Sequence, residues 1–230
     1  MKPRRKDKWL FKLYRLVIGP FFRKCKYVGL EHIDEPSIII SNHIGASGPA
    51  QFSFYFPYQF KIWANQLFFG GIKSTYKNLY NFFRVKKRKS KFASWLIAMI
   101  GAPWFYWDIK VSQVIPTYED ARFYITVSQS VEEIESGGCV ILFPEESKDG
   151  YQDDMVLIRP GFIYVLEFLK EKGMNVPVIP AFINKKKRVI NIGEKIDYQK
   201  IKELGLSQEE TLKFFADKMN ELSNLEIKGE

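Results

Sequence analysis

The chain has 230 residues, 46% apolar and 27% charged, which fits one or two globular domains and excludes a largely disordered or collagen-like chain. Two Cys (Cys25 and Cys139, with no CxxC) and two His (His32 and His43) exclude a disulfide scaffold and a Cys- or His-rich metal site, and leave a reducing compartment as the default. The formal net charge of +9 is unevenly placed: residues 1–29 hold ten basic residues and one acid, while the other 201 hold 25 of each, so a neutral body carries a cationic arm suited to an anionic partner surface.

The arm threads apolar residues between its charges. Leu10, Leu13, Tyr14 and Val17 fall at i, i+3, i+4 and i+7, one face of a helix, with Lys8, Lys12 and Arg15 largely off it. A short helix with Lys/Arg on one side and Trp/Phe/Leu on the other reads as an interfacial membrane helix, each basic residue contributing about 1 kcal/mol near an anionic leaflet. Lys12 and Arg15 break the apolar run and no small-residue cleavage site follows, so it is not read as a signal peptide. The alternatives are a first helix packed on the core, or a nucleic-acid arm; no arginine–aromatic RNA motif accompanies it, and nucleic acid is not expected as a partner. We take residues 1–26 as the membrane-interface segment and 27–230 as one domain.

Ser37–Ser41 (SIIIS) reads as a buried strand running into a loop that begins Asn42-His43. Residues 84–91 carry six basic residues in eight, a solvated loop or a lipid-headgroup contact. The uncharged stretch 92–107 is only 16 residues long and contains Gly101 and Pro103, too short for a span of about 20; it reads as a buried core helix or as a shallow dip into a bilayer. Further strands are expected over 139–143, 176–183 and 188–193, the last two joined by a turn at 184–187. Helices are expected over 121–136, 161–172 and 207–225. Strands alternating with helices predict an α/β fold with a mixed central sheet flanked by helices, its site at strand ends.

Two such ends carry chemistry. His43 follows one strand, in Ser-Asn-His-Ile-Gly-Ala-Ser-Gly-Pro, and Glu145 follows another, in Leu-Phe-Pro-Glu-Glu-Ser-Lys. With Tyr27–Ile33 (YVGLEHI) as lead-in, Val114–Thr117 (VIPT), Gly137–Glu145 (GGCVILFPE), Arg159-Pro-Gly161, Val178–Ala181 (VIPA) and Val189–Ile196 (VINIGEKI), the ordered set resembles the PlsC-type lysophosphatidic acid acyltransferase family over residues 27 to about 200. The sequence departs from the family at three places. Gly48 stands where an Asp follows the His. Tyr118, Glu119 and Asp120 occupy the stretch that normally supplies an Arg. Glu146 replaces a Gly, with Ser147 and Lys148 at the Thr and Arg positions.

The resemblance implies a membrane-associated acyltransferase, peripheral on the cytoplasmic face, moving an acyl group from acyl-CoA or acyl carrier protein to a lysophospholipid. No metal or prosthetic group is implied. His43 would be the general base, since an imidazole with a pKa near 6.5 is neutral yet basic at pH 7. Glu146 would replace the missing Asp as the carboxylate that orients it. Glu145 would orient the loop or bind the acceptor's glycerol, and Ser147, Lys148, Arg122 and Arg159 would bind the acceptor and its phosphate. The alternative is a non-catalytic lipid-binding descendant of the fold, favoured by Gly48.

Overall fold

The structure, a computed structural model, describes residues 1–3, 9–45, 47–145, 155 and 158–225. Seven strands form one sheet: β1 (Lys26–Val28), β2 (Ile38–Ser41), β3 (Phe60–Asn65), β4 (Val114–Thr117), β5 (Cys139–Leu142), β6 (Val178–Asn184) and β7 (Val189–Ile192), in the order β1-β7-β6-β2-β5-β3-β4. β2 to β6 run parallel; β7 is antiparallel to β6, and β1 is parallel to β7. The mixed α/β sheet predicted from the apolar runs is present, with β1, β3 and β4 as additional strands.

The apolar runs mark strands covered on both faces, where alternation disappears because each face has a core to enter. Ile38 and Ile40 join Val140, Leu142 and Val178 under α5 (Phe123–Glu135), α6 (Gly161–Glu171) and α8 (Gln208–Ser223). Ile39, Ile141, Ile179 and Ile183 face the other way, against Phe52 of α2 (Ser47–Tyr55) and the following Phe56. The short α7 (Tyr198–Glu203) starts from an Asp197 cap.

The N-terminal helix, α1 (Trp9–Ile18), differs from its predicted face. Phe11 and Tyr14 are buried against Phe54 of α2, while Leu13, Leu16 and Val17 point outward. Tyr14 also meets Trp104, with ring centroids 5.4 Å apart. Leu10, Leu13, Tyr14 and Val17 are therefore split between two environments: one edge of the helix docks on the body, and a second apolar edge remains outside. Removing residues 1–22 would strip the cluster around Phe54, so exposed positions such as Leu16 are the clean probes of the outer edge.

The stretch 92–107 is not a buried core helix. It lies within α4 (Lys91–Val111), which continues through Gly101 and Pro103 and pairs with α3 (Gly71–Asn81) as a helical hairpin. α4 buries only the small residues Ser94, Ala98 and Ala102, and Phe92, Trp95, Met99 and Ile100 are exposed. No helix among the described residues is long and apolar enough to cross a membrane.

In the core, α6 meets α8 through a pair of rings. Phe162 and Phe215 are fully buried and edge-to-face, with centroids 5.3 Å apart at 87°. Phe162→Ala is expected to cost about 3–5 kcal/mol by loss of contacts and cavity formation. Urea unfolding should show a lower midpoint with an unchanged slope.

Candidate active site

The pairing of β2 with β5 places Ile40 beside Leu142. Three residues beyond each lie His43 and Glu145, so equal run-outs from registered strands bring the two loops together. The His43 backbone N–H donates to Glu145 Oε2 at 2.9 Å. Asn42, buried between them and β6, fixes the loop from the other side: Ile183 N–H donates to Asn42 Oδ1 at 2.7 Å, and Asn42 Nδ2 donates to the Ile183 carbonyl at 3.2 Å. Burial raises the Glu145 pKa above its ordinary value, and the His43 N–H works against that rise.

The His43 ring stands edge-on to Phe143, with centroids 5.6 Å apart at 89°. The residue keeps an exposed edge, yet its surroundings desolvate the imidazole and lower its pKa. Gly45 N–H donates to Nδ1 at 3.2 Å, from a backbone at φ +66° that favours glycine. With Nδ1 accepting, the neutral ring carries its proton on Nε2. Among the described residues no carboxylate is hydrogen-bonded to the ring.

Gly48 lies in the first turn of α2 and has no positive φ. A Cβ there would stand 3.3 Å from Phe143 Cε1 and 3.4 Å from Ile183 Cδ1, so the wall facing Gly48 is apolar. Glu146, Ser147 and Lys148 lie outside the described residues. Beyond β5, Glu145 bridges to Ile158, and Arg159 N–H donates to the Pro144 carbonyl at 2.8 Å. Asn220 of α8 holds Met155 by two bonds: Met155 N–H donates to Asn220 Oδ1 at 2.7 Å, and Asn220 Nδ2 donates to the Met155 carbonyl at 2.9 Å.

Arg122 and Arg159 both come to the carboxyl edge of the sheet, and both meet acids. Arg122 pairs with Asp120 at 2.6 Å, donates to Gln66 Oε1 at 2.8 Å and lies over the Tyr118 ring at 4.6 Å. This partner pulls the Asp120 carboxyl down to about 2. Arg159 pairs with Glu119. Asp120 and Glu119, which follow the Ile-Pro pair, are thus counter-ions of these two guanidiniums.

Sequence reasoning did not assign a part to Asn42 or Gly45. Asn42 had a legible signal, a polar residue closing an Ile-Ile-Ile-Ser run. Gly45 had none, because its part depends on the turn. Two surface depressions lie elsewhere, one lined by Lys12, Arg15 and Tyr55, the other by Tyr164, Glu167 and Lys202.

The lowered His43 pKa has a stability consequence. As pH falls below the ordinary imidazole value of 6.5, the unfolded chain binds a proton that folded His43 resists, so stability falls until the folded pKa is passed. The difference in unfolding free energy between wild type and His43→Ala should shift against wild type between about pH 7 and pH 5 in matched urea titrations.

No family model matches the sequence, and no curated protein matches it. Among solved structures, the chain is similar to the crystal structure of the 1-acyl-sn-glycerophosphate (LPA) acyltransferase, PlsC, from Thermotoga maritima, at 15% identity and a TM-score of 0.54, over 96% of this chain and 80% of that one. At that identity the likeness is one of fold: the chain has the central sheet and flanking helices of an acyltransferase-type α/β protein.

Proposed function

We propose that the protein is a peripheral membrane acyltransferase that moves a fatty acyl group from an acyl thioester, acyl-CoA or acyl carrier protein, to the hydroxyl of a lysophospholipid. The observation that carries this is the 2.9 Å bond from His43 N–H to Glu145, which joins two chemistry-bearing loops at the carboxyl edge of a fold shared with an LPA acyltransferase. The exposed outer edge of α1, among the lysines and arginines of the arm, supports contact with an anionic membrane surface.

In the reaction the acceptor oxygen attacks the thioester carbonyl, the C–S bond breaks, and the hydroxyl proton passes to His43 and then to the leaving thiolate. His43 meets this task with a handicap. Its Nε2 can accept a proton only after the ring's own proton has moved to Nδ1, which breaks the Gly45 contact. In a serine-protease triad, loss of the carboxylate that holds this tautomer costs about 10⁴ in rate. A thioester is already activated, so a slow transfer remains attainable. Glu145 shapes the His43 loop by accepting its backbone N–H, and Asn42 holds the same loop to β6. Glu146 as the substitute orienting carboxylate, and Ser147 and Lys148 as acceptor-binding groups, belong to this proposal, as do Arg122 and Arg159 once freed from their acids.

One set of observations favours the second reading, a lipid-binding protein without turnover: Nδ1 is occupied by a backbone N–H, and both arginines are neutralised. Release of free thiol from acyl-CoA, with and without lysophosphatidic acid, decides between the two. Acceptor-dependent release that falls about 10²–10⁴-fold in His43→Ala supports transfer. Release equal in both proteins would sink His43 as the base, and none in the wild type would favour the binding reading.

Restoring the family residue is expected not to help. Gly48→Asp would set a carboxylate against Phe143 and Ile183, so the melting temperature should fall and the thiol-release rate should not rise.

A further inference from the structure

The body of the protein is neutral only on average. Between Glu35 and Asp108 the chain has nine basic residues and no acid, and the compensating acids lie in the remainder. The α3–α4 hairpin occupies this cationic stretch. Its turn carries Arg84, Lys87, Arg88, Lys89 and Lys91, all exposed.

Within the hairpin, α4 is inverted relative to a core helix. Ser94, Ala98 and Ala102 recur every four residues on the side of α4 that meets α3, and a Cβ at Gly101 would stand 3.2 Å from Leu79. On the opposite side Phe92, Trp95, Leu96, Met99, Ile100 and Trp104 form one stripe, each 38–70% exposed. On α4 the small residues face α3, whose Leu79, Tyr76 and Tyr80 fill the seam, and the large apolar residues lie outside; small residues at a close helix contact are also what helices packed in lipid use. An apolar stripe with tryptophans beside a cluster of lysines and arginines matches the boundary between acyl chains and anionic headgroups.

The connections fix where the hairpin points. Phe68, just beyond the carboxyl end of β3, stacks on Phe105 at 5.5 Å. From Phe105, α4 runs down to Val111 and the chain enters β4 at Val114, the opposite end of the sheet. Residues 91–104 therefore extend the other way, about 20 Å of helix beyond the carboxyl edge that carries His43 and Glu145. α1 stands beside the hairpin's root through Tyr14 and Trp104.

We propose that the α3–α4 hairpin is a docking wedge for an anionic lipid bilayer: its basic turn meets headgroups, the Phe92–Ile100 stripe enters the acyl boundary, and the carboxyl edge is thereby held facing the membrane. This deepens the reading above and rests on it only for the use of lipid as substrate.

Vesicles of phosphatidylcholine with phosphatidylglycerol test it in two variants at exposed positions. One carries Phe92→Ser, Trp95→Ser, Met99→Ser and Ile100→Ser; the other carries Lys87→Glu, Lys89→Glu and Lys91→Glu. Each should sediment with vesicles at least tenfold more weakly than wild type while keeping its thermal transition. Brominated acyl chains provide a second readout on the intact protein. They should quench wild-type tryptophan fluorescence, and Trp95→Phe should lose a large part of that quenching. Wild-type binding in both variants, no quenching by brominated lipid, or a wild-type dimer that dissociates in the serine variant would each overturn the proposal. Thiol release on a water-soluble acyl thioester keeps the readings apart. A chain that binds and is quenched but never turns over removes acyl transfer and leaves the wedge; one that turns over while its variants bind normally does the reverse.

Discussion

The register of β2 against β5 is the constraint on which the rest of the structure depends. Ile40 pairs with Leu142, and each strand has three residues to run before His43 and Glu145. A slip of one residue would send Ile38 and Ile40 from the core under α6 to the face occupied by Ile39, and would part the two loops. Because both faces are apolar, side-chain polarity alone would not forbid the slip. It is opposed by volume: Phe162 and Phe215 fill one side, and Phe52 and Phe56 the other. Packing of bulky rings thus holds a hydrogen bond between two loops that contain none of them.

Asn42 extends the same register to β6. Its side chain imitates a strand neighbour, offering Ile183 an acceptor and a donor where the ladder would otherwise stop. The loop around His43 is consequently held by Glu145 on one flank and by Ile183 on the other. The imidazole itself is tied more weakly, through Gly45. The backbone is fixed more firmly than the imidazole it carries.

The parts of the fold legible in the sequence are those whose burial is symmetrical. The runs at 38–40, 139–142 and 178–183 announce covered strands, and the periodicity of 123–135, 161–171 and 208–223 announces helices with one apolar face. α2 was hidden because Gly48, Pro49 and its phenylalanines give no helical stripe, and β4 because a four-residue strand containing Pro116 carries little signal. For residues 92–107 the sequence left a core helix and a shallow dip open, and the core reading fails for a physical reason: apolar composition gives burial only when something covers the large residues, and α4 turns its small ones to α3. The basic run at 84–91 was legible, but summing charge over residues 30–230 hid that no acid lies between Glu35 and Asp108, since a total says nothing about where acids and bases fall. Of the site, His43 and Glu145 were visible as residues following strands. The proton's place on the ring was not, because it depends on a turn that brings Gly45 N–H to Nδ1.

The clamp of Asn220 on Met155 bears on the order in which the protein can assemble. Met155 is held by Asn220 of α8, so that anchor is missing until residue 220 has been synthesised. β2 likewise needs β5 and β6, about 100 and 140 residues away, before either of its edges is paired. Contacts of that separation fold slowly. The partners of the cationic, aromatic hairpin (α1, Phe68 and the two helices themselves) all precede residue 112, so they are synthesised while the sheet behind it is still open.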